Sequence, residues 1–489
     1  GQNRFAKVYF HEAGTDQSRD ALIYEDAEHP DWLPIAGVTE DGKYLVLHIY
    51  QGTDRRNRIY FMRVDRSRAG TVIKLLDDFD AGYQFIGNDD EIFYFQTDLD
   101  APKGRVIVVD TRRPRRSDWR ELIAEQEDVL SGTSIINDQF VTLTMHDAHH
   151  QIKVYDKDGS FVNEIPLPAL GSIGGISGRE KDTEMFFGFS SFSYPFTIYR
   201  YDFQKKESAV FRAPDVDFNP EDYETKQVFY ESKDGTPVPM FITSKKGVRM
   251  DGSNPTILYG YGGFNISLTP QFDVSTLLWM EMGGVYAMPN LRGGGEYGID
   301  WYQQGILAKK QNVFDDFIAA AEYLIKEGYT SKKKLSIAGA SNGGLLVGAC
   351  MTQRPDLFAA ALPAVGVLDM LRYHEFTIGR YWAPDYGRSD NPDDFKFLYA
   401  YSPLHRLKEG VSYPATLITT ADHDDRVVPA HSFKFAATLQ NCQAGDAPVL
   451  IRIETRAGHG AGKPTSKRIE ELTDRYAFLV KNLNIKYRL

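Results

Sequence analysis

Along the first half of the chain, apolar and polar positions alternate in short runs, and one such run, ending in Asp, keeps returning. Asn57-Arg58-Ile59-Tyr60-Phe61-Met62-Arg63-Val64-Asp65 is followed by Arg105-Val106-Ile107-Val108-Val109-Asp110. Then come Gln151-Ile152-Lys153-Val154-Tyr155-Asp156 and Phe196-Thr197-Ile198-Tyr199-Arg200-Tyr201-Asp202. The steps between these Asp residues are 45, 46 and 46. Each of these strands is preceded by a further β-type run, Tyr44 to Tyr50, Glu91 to Gln96, Gln139 to Met145 and Glu184 to Phe189, set off by turn residues. A repeat in the forties built only of strands predicts β-propeller blades, with an all-β sandwich of accidental spacing as the alternative. Four blades are expected, and Lys7 to His11 is read as the last strand of a preceding one.

The pattern changes after the acidic, proline-punctuated stretch Ala213 to Pro220, which suits a linker. A hairpin is expected from Gln227 to Glu231 and Val238 to Thr243, with Asp234-Gly235 at its turn. Six short apolar runs follow, beginning at Thr256, Gly284, Leu335, Ala359, Ala415 and Val449. Between two of them Phe314, Phe317, Ile318, Ala321, Leu324 and Ile325 fall at helical spacing, and Gly328 stops the helix. Strands alternating with helices predict a mostly parallel sheet covered by helices, and eight strands opening with a hairpin fit an α/β-hydrolase domain. The expected division is a partial β-propeller over residues 1–213, a linker over 214–226 and the α/β-hydrolase over 227–489.

Composition narrows the function. The chain has 489 residues, enough for two cores, and no apolar run approaches the roughly 18 residues of a membrane span. A formal charge of −11 with interspersed signs excludes a nucleic-acid surface. Cys350 and Cys442 are far apart and read as small buried residues rather than a disulfide or metal set. Gly1 opens the chain with no apolar leader, so the expected location is cytoplasmic.

Gly339-Ala340-Ser341-Asn342-Gly343 matches G-x-S-x-G between an apolar strand and a small-residue helix, the setting in which a sharp turn pushes a serine out of a sheet as a nucleophile. A serine hydroxyl needs a base, and the base needs a carboxylate to fix its tautomer. His459, in the glycine-rich loop after the last strand, is the best-placed base; His374, His405, His423 and His431 read as surface or packing residues. For the acid, Asp424 and Asp369 both follow strands, with Asp422 and Asp425 close to the former. The glycine-rich stretches Gly260 to Gly263 and Arg292 to Gly295 lack the spacing of a nucleotide loop. His146-Asp147-Ala148-His149-His150 reads as a blade turn rather than a metal site, and no metal or cofactor is expected.

These residues resemble the prolyl oligopeptidase family, serine peptidases that cut short peptides after proline. The resemblance runs from about Lys7 to the C-terminus. It is carried by Tyr259 to Asn265, Asn290 to Gly298, Ser341 to Gly344, Ala421 to Pro429 and Gly458 to Lys463. It implies a triad of Ser341, Asp424 and His459, which decides the acid, and an oxyanion hole of the Tyr261 hydroxyl and the Asn342 N–H. It also implies that Arg426 holds a substrate carbonyl, that Trp382 stacks on the proline ring, and that Phe264, Tyr386 and Val427 wall the pocket. Ala340 stands where the family usually has Gly. The family's seven blades and N-terminal segment are not all present, so the chain reads as a fragment or a shortened relative of an enzyme expected to be monomeric at full length. Two other readings are a sister oligopeptidase with another specificity, such as cleavage after basic residues, and an inactive, propeller-bearing interaction protein.

Overall fold

The computed structural model describes residues 4–65, 68–460 and 462–486; Ala461, within the histidine loop, lies outside them. The repeated strand of the first half is the third strand of each blade. In the second blade Tyr83–Asp89, Ile92–Thr97, Arg105–Asp110 and Arg120–Ile123 form one antiparallel four-stranded sheet. The third and fourth blades repeat it, with Gln151 to Asp156 inside His149–Asp156 and Phe196 to Asp202 inside Tyr194–Asp202. In the first blade the outer strand is split, and Arg68–Ala69 and Ile73–Leu76 both pair with Asn57–Asp65. Inward-facing residues of successive blades, such as Phe61 and Phe93, meet edge to face at 5.3 Å, which joins blade to blade through aromatic packing.

One expectation at this end is corrected. Val8–Phe10 is not the last strand of its unit, because it pairs antiparallel with Ala21–Tyr24, which follows it. Tyr24 then meets Tyr60 of the next blade, ring centroids 6.0 Å apart, so the second strand of the pair supplies the contact.

The second half is an eight-stranded sheet: β1 Tyr223–Glu231, β2 Pro237–Lys245, β3 Thr256–Tyr259, β4 Val285–Pro289, β5 Leu335–Ala340, β6 Ala360–Ala364, β7 Ala415–Ala421 and β8 Val449–Glu454. Their order is β1-β2-β4-β3-β5-β6-β7-β8. The opening hairpin and β4 run antiparallel to their neighbours on one side, and all pairs from β4–β3 onward are parallel. The first strand of this sheet begins at Tyr223 rather than at Gln227. Tyr223 is registered against Lys245 and buried with Leu277 and Met280, so strand pairing reaches back into the stretch expected to be linker.

Helices cover both faces because the parallel strands are apolar on both. On one face lie α2 Gln311–Lys326, α3 Asn342–Gln353 and α4 Ala430–Cys442; on the other, α1 Val274–Glu281 and α5 Thr465–Asn482. The helical spacing of Phe314, Phe317, Ala321 and Leu324 is the buried face of α2. Cys350 and Cys442 are free and buried, as expected.

Loops at one end of all four blades are seated on this domain. Thr53 N–H donates to Tyr381 O at 3.0 Å, and Ile299 N–H to Pro102 O at 2.9 Å. The Tyr297 hydroxyl donates to Asp147 at 2.8 Å, and Phe272 N–H to Ser190 Oγ at 2.9 Å. The His146 to His150 hairpin therefore serves as a domain contact, with buried Ala148 packed beside Phe241 and Met288.

Arg292 ties the hairpin to α2. Its guanidinium, 4% exposed, donates to both oxygens of the fully buried Asp316 carboxylate, to Ser232 Oγ at 3.2 Å and to Asp234 Oδ2 at 2.5 Å. Removing one partner of such a pair leaves an uncompensated charge in the interior. Asp316→Ala is expected to destabilise the protein by about 3–5 kcal/mol. Asp234→Ala, at the exposed end of the network, should cost under about 1 kcal/mol. Urea unfolding followed by tryptophan fluorescence distinguishes the two, and similar midpoints would refute the assignment.

Candidate active site

Ser341 sits between β5 and α3 at φ 59° and ψ −116°, a left-handed conformation that a non-glycine residue adopts only when its surroundings enforce it. The turn is tight enough that a Cβ on Gly343 would lie 2.6 Å from Gly260 O. The chain before and after Ser341 thus packs against the end of β3, and the serine is carried clear of the sheet. Ser341 N–H donates to Ala364 O at 2.9 Å, which locks the turn to β6. Asn342 follows as the first residue of α3. Its backbone N–H has no hydrogen-bond partner among the described residues, as the first turn of a helix leaves it.

Asp424 follows β7 with its side chain fully buried. One carboxylate oxygen accepts the N–H groups of Arg426 and Val427 at 3.0 and 2.9 Å, and the other accepts from His459 Nδ1 at 2.7 Å. Three hydrogen bonds thus orient the carboxylate, which in turn orients the imidazole through Nδ1. Among the described residues Ser341 Oγ has no hydrogen-bond partner, so the serine–histidine bond is not made in this structure. Such bonds are often open before substrate arrives.

The rival acid is committed elsewhere. Burial pushes the Asp369 carboxyl up, but its ion pair with Lys434 outweighs burial and holds it below the usual carboxylate range. It also accepts Leu371 and Arg372 N–H, and so braces a loop. His423 pairs with Asp422, His405 with Ser402 Oγ, and His431 lies buried against Asp369, where burial lowers its pKa to about 4.

Beside Ser341 opens a cavity of about 370 Å³ lined by Tyr261, Phe264, Trp382, Tyr386 and Arg426, and also by Leu33, Gly52 and Thr53 of the first blade. Trp382 is held flat against Tyr373, centroids 6.1 Å apart and planes 9° apart. Phe264 meets Tyr386 edge to face at 5.3 Å. Burial pushes the Tyr261 hydroxyl up to about 12, which keeps it a proton donor at neutral pH. The Arg426 side chain makes no ion pair among the described residues. Val427 does not line this cavity; its side chain is buried in the domain core and only its N–H reaches the site, through Asp424.

Three residues at this site escape sequence reasoning. Asp385 accepts Phe264 N–H at 3.1 Å and Thr53 Oγ1 at 3.3 Å, and Lys310 lies beneath the Tyr261 and Asn342 segments. Thr53 comes from the propeller. Only Asp385 carried a signal, as a carboxylate inside the Arg380 to Gly387 stretch that holds Trp382.

The profile described as "Prolyl oligopeptidase family" matches residues 270–486, and that of "Prolyl oligopeptidase, N-terminal beta-propeller domain" matches residues 1–214. The chain is 48% identical to a prolyl endopeptidase of Elizabethkingia miricola over 98% of its own length and 68% of the relative's. It is 42% identical to prolyl oligopeptidase A of Galerina marginata, over 99% and 66%. A solved prolyl endopeptidase structure superposes with a TM-score of 0.95 at 43% identity, covering 99% of this chain and 71% of that one. Prolyl oligopeptidase B of Galerina marginata, bound to a 35mer substrate, gives 0.95 at 37%, over 99% and 70%. Matched by these two profiles along both halves and 48% identical to a prolyl endopeptidase over nearly its whole length, the chain belongs to the prolyl oligopeptidase family of serine peptidases.

Proposed function

We propose that the protein is an endopeptidase that hydrolyses short peptides on the C-terminal side of proline through an acyl-enzyme on Ser341. The observation that carries this reading is the cavity: it places a flat, apolar box of Trp382, Phe264 and Tyr386 directly beside the serine. A proline ring is compact, apolar and without an N–H, so packing against the face of Trp382 recognises it without a polar partner. No carboxylate lines the cavity among the described residues, which disfavours the cleavage after basic residues weighed from the sequence.

Ser341 Oγ attacks the proline carbonyl carbon while its proton passes to His459 Nε2. Asp424, oriented by two backbone N–H groups, stabilises the imidazolium through Nδ1–H. The carbonyl oxygen becomes an oxyanion and takes the Asn342 N–H and the Tyr261 hydroxyl, donors already in place before reaction. The C–N bond breaks, His459 gives its proton to the leaving amine, and water repeats the sequence to release the acid and restore the serine. The Arg426 guanidinium takes a carbonyl of the bound peptide. No described helix is long and apolar enough to cross a membrane.

Ser341→Ala is expected to abolish turnover and fluorophosphonate labelling while leaving the folded state intact, because the side chain is unpartnered. Asp424→Asn should lower kcat by on the order of 10⁴-fold, since an amide favours the wrong tautomer of His459. Asp369→Asn should act on thermal stability instead; the reverse pattern would overturn the triad.

Trp382→Ala should reduce the ratio of kcat/KM for peptides with Pro against Ala before the cut by on the order of 10-fold, the worth of a stacked aromatic contact. An unchanged ratio would remove Trp382 from recognition.

A further inference from the structure

Lys310 is 1% exposed, at the start of α2, where an apolar residue would pack without the cost of burying an ammonium. Burial lowers its pKa to about 8, with the Asp385 carboxylate pulling the other way. The ammonium makes two hydrogen bonds, to Gly262 O at 2.8 Å and to Asn342 Oδ1 at 3.2 Å. Gly262 follows Tyr261, and Asn342 follows Ser341. These are the two segments that carry the oxyanion donors.

The Asn342 side chain completes a ring between them. Its Nδ2 donates to Tyr261 O at 2.6 Å, and its Oδ1 accepts the Tyr386 hydroxyl at 2.8 Å together with Lys310. Two donors facing one oxygen fix the amide orientation: turned over, its NH₂ would face the ammonium and its oxygen would face a carbonyl. The room for this amide is itself built in, since a Cβ on Gly263 would lie 2.6 Å from Asn342 Nδ2. Lys310 thus joins the Gly262 carbonyl, one residue after Tyr261, to the side chain of Asn342, which itself reaches the Tyr261 carbonyl from the first residue of α3.

We infer that Lys310 is a positioning residue for the oxyanion hole, holding the Tyr261 hydroxyl and the Asn342 N–H at one fixed spacing. It acts on the transition state rather than on peptide binding, and the inference rests on the reading of Tyr261 and Asn342 given above. A donor misplaced by about 1 Å costs on the order of 10²-fold in rate. Asp385 does not compete for this role, because its oxygens are turned to Phe264 N–H and Thr53 Oγ1.

The test is Lys310→Met in the full chain. The expected result is a kcat lowered on the order of 10- to 100-fold with KM within about twofold, and a matching loss of affinity for a peptidyl-prolinal aldehyde, which forms a tetrahedral adduct on the serine. Binding of an uncleaved Pro-containing peptide in a Ser341→Ala background should be unchanged. Lys310→Met/Asp385→Asn, which removes both buried charges, should show the same pattern and guards against loss of folding. Asn342→Ala, which removes the bridge but keeps the backbone N–H, should show it too. Unchanged kcat and aldehyde affinity, or a rise in KM alone, would overturn the inference provided that Tyr261→Phe lowers both quantities. If Tyr261→Phe also left them unchanged, the oxyanion reading itself would fail.

Discussion

Three backbones are pressed together where the chain turns through Ser341, and the chemistry of the site is a consequence of that contact. Gly339 and Gly343 approach the Gly260 carbonyl so closely that a Cβ at either would lie under 3.0 Å from it. The strained φ of the serine costs on the order of 1–3 kcal/mol, and it persists because the strand before it and the helix after it are buried in the core. From that one approach follow a hydroxyl carried clear of the sheet, a helix N-terminus aimed at the same point, and a neighbouring Tyr261 whose carbonyl the first helical side chain can reach.

Around the turn the interior is unusually polar. Arg292, Glu296, Lys310, Asp316 and Asp385 are all buried, and all lie in or beside the segments that lead into β5 and the cavity. Glu296 shows the pattern: burial pushes its carboxyl up to about 7, and one oxygen accepts Leu268 N–H at 2.8 Å and Asn290 Nδ2 at 3.3 Å. Buried polar groups of this kind contribute little net stability compared with apolar residues, but each admits only one arrangement of its partners. They make the loops behind the site geometrically specific.

How much of this the amino-acid sequence disclosed depended on how local the signal was. The Asp-ended strands, the hairpin turn at Asp234-Gly235 and the strand–Ser341–helix unit rest on short-range periodicity, and each is found where its pattern lies. Position after a strand could not separate Asp424 from Asp369, because what separates them is the partner each meets in space, His459 or Lys434. Lys309-Lys310 carries no local signal that its second member is buried; the packing of α2 under Gly262 buries it. The start of β1 is not legible locally, because Tyr223 belongs to the sheet through its pairing with Lys245, a contact no window of local sequence contains.

The cavity beside the serine is a property of neither domain alone. Leu33, Gly52 and Thr53 supply one wall from the first blade, and Gly52 lies so close to Tyr381 that a Cβ there would come within 2.8 Å of its carbonyl oxygen. Affinity for any ligand of this cavity is therefore an average over how the two domains are seated. If a fraction f of molecules holds the blade loop against Tyr381, the apparent dissociation constant is the intrinsic one divided by f. Any agent that loosens the seam, acting anywhere along it, reads out as weaker substrate binding without touching a residue of the pocket.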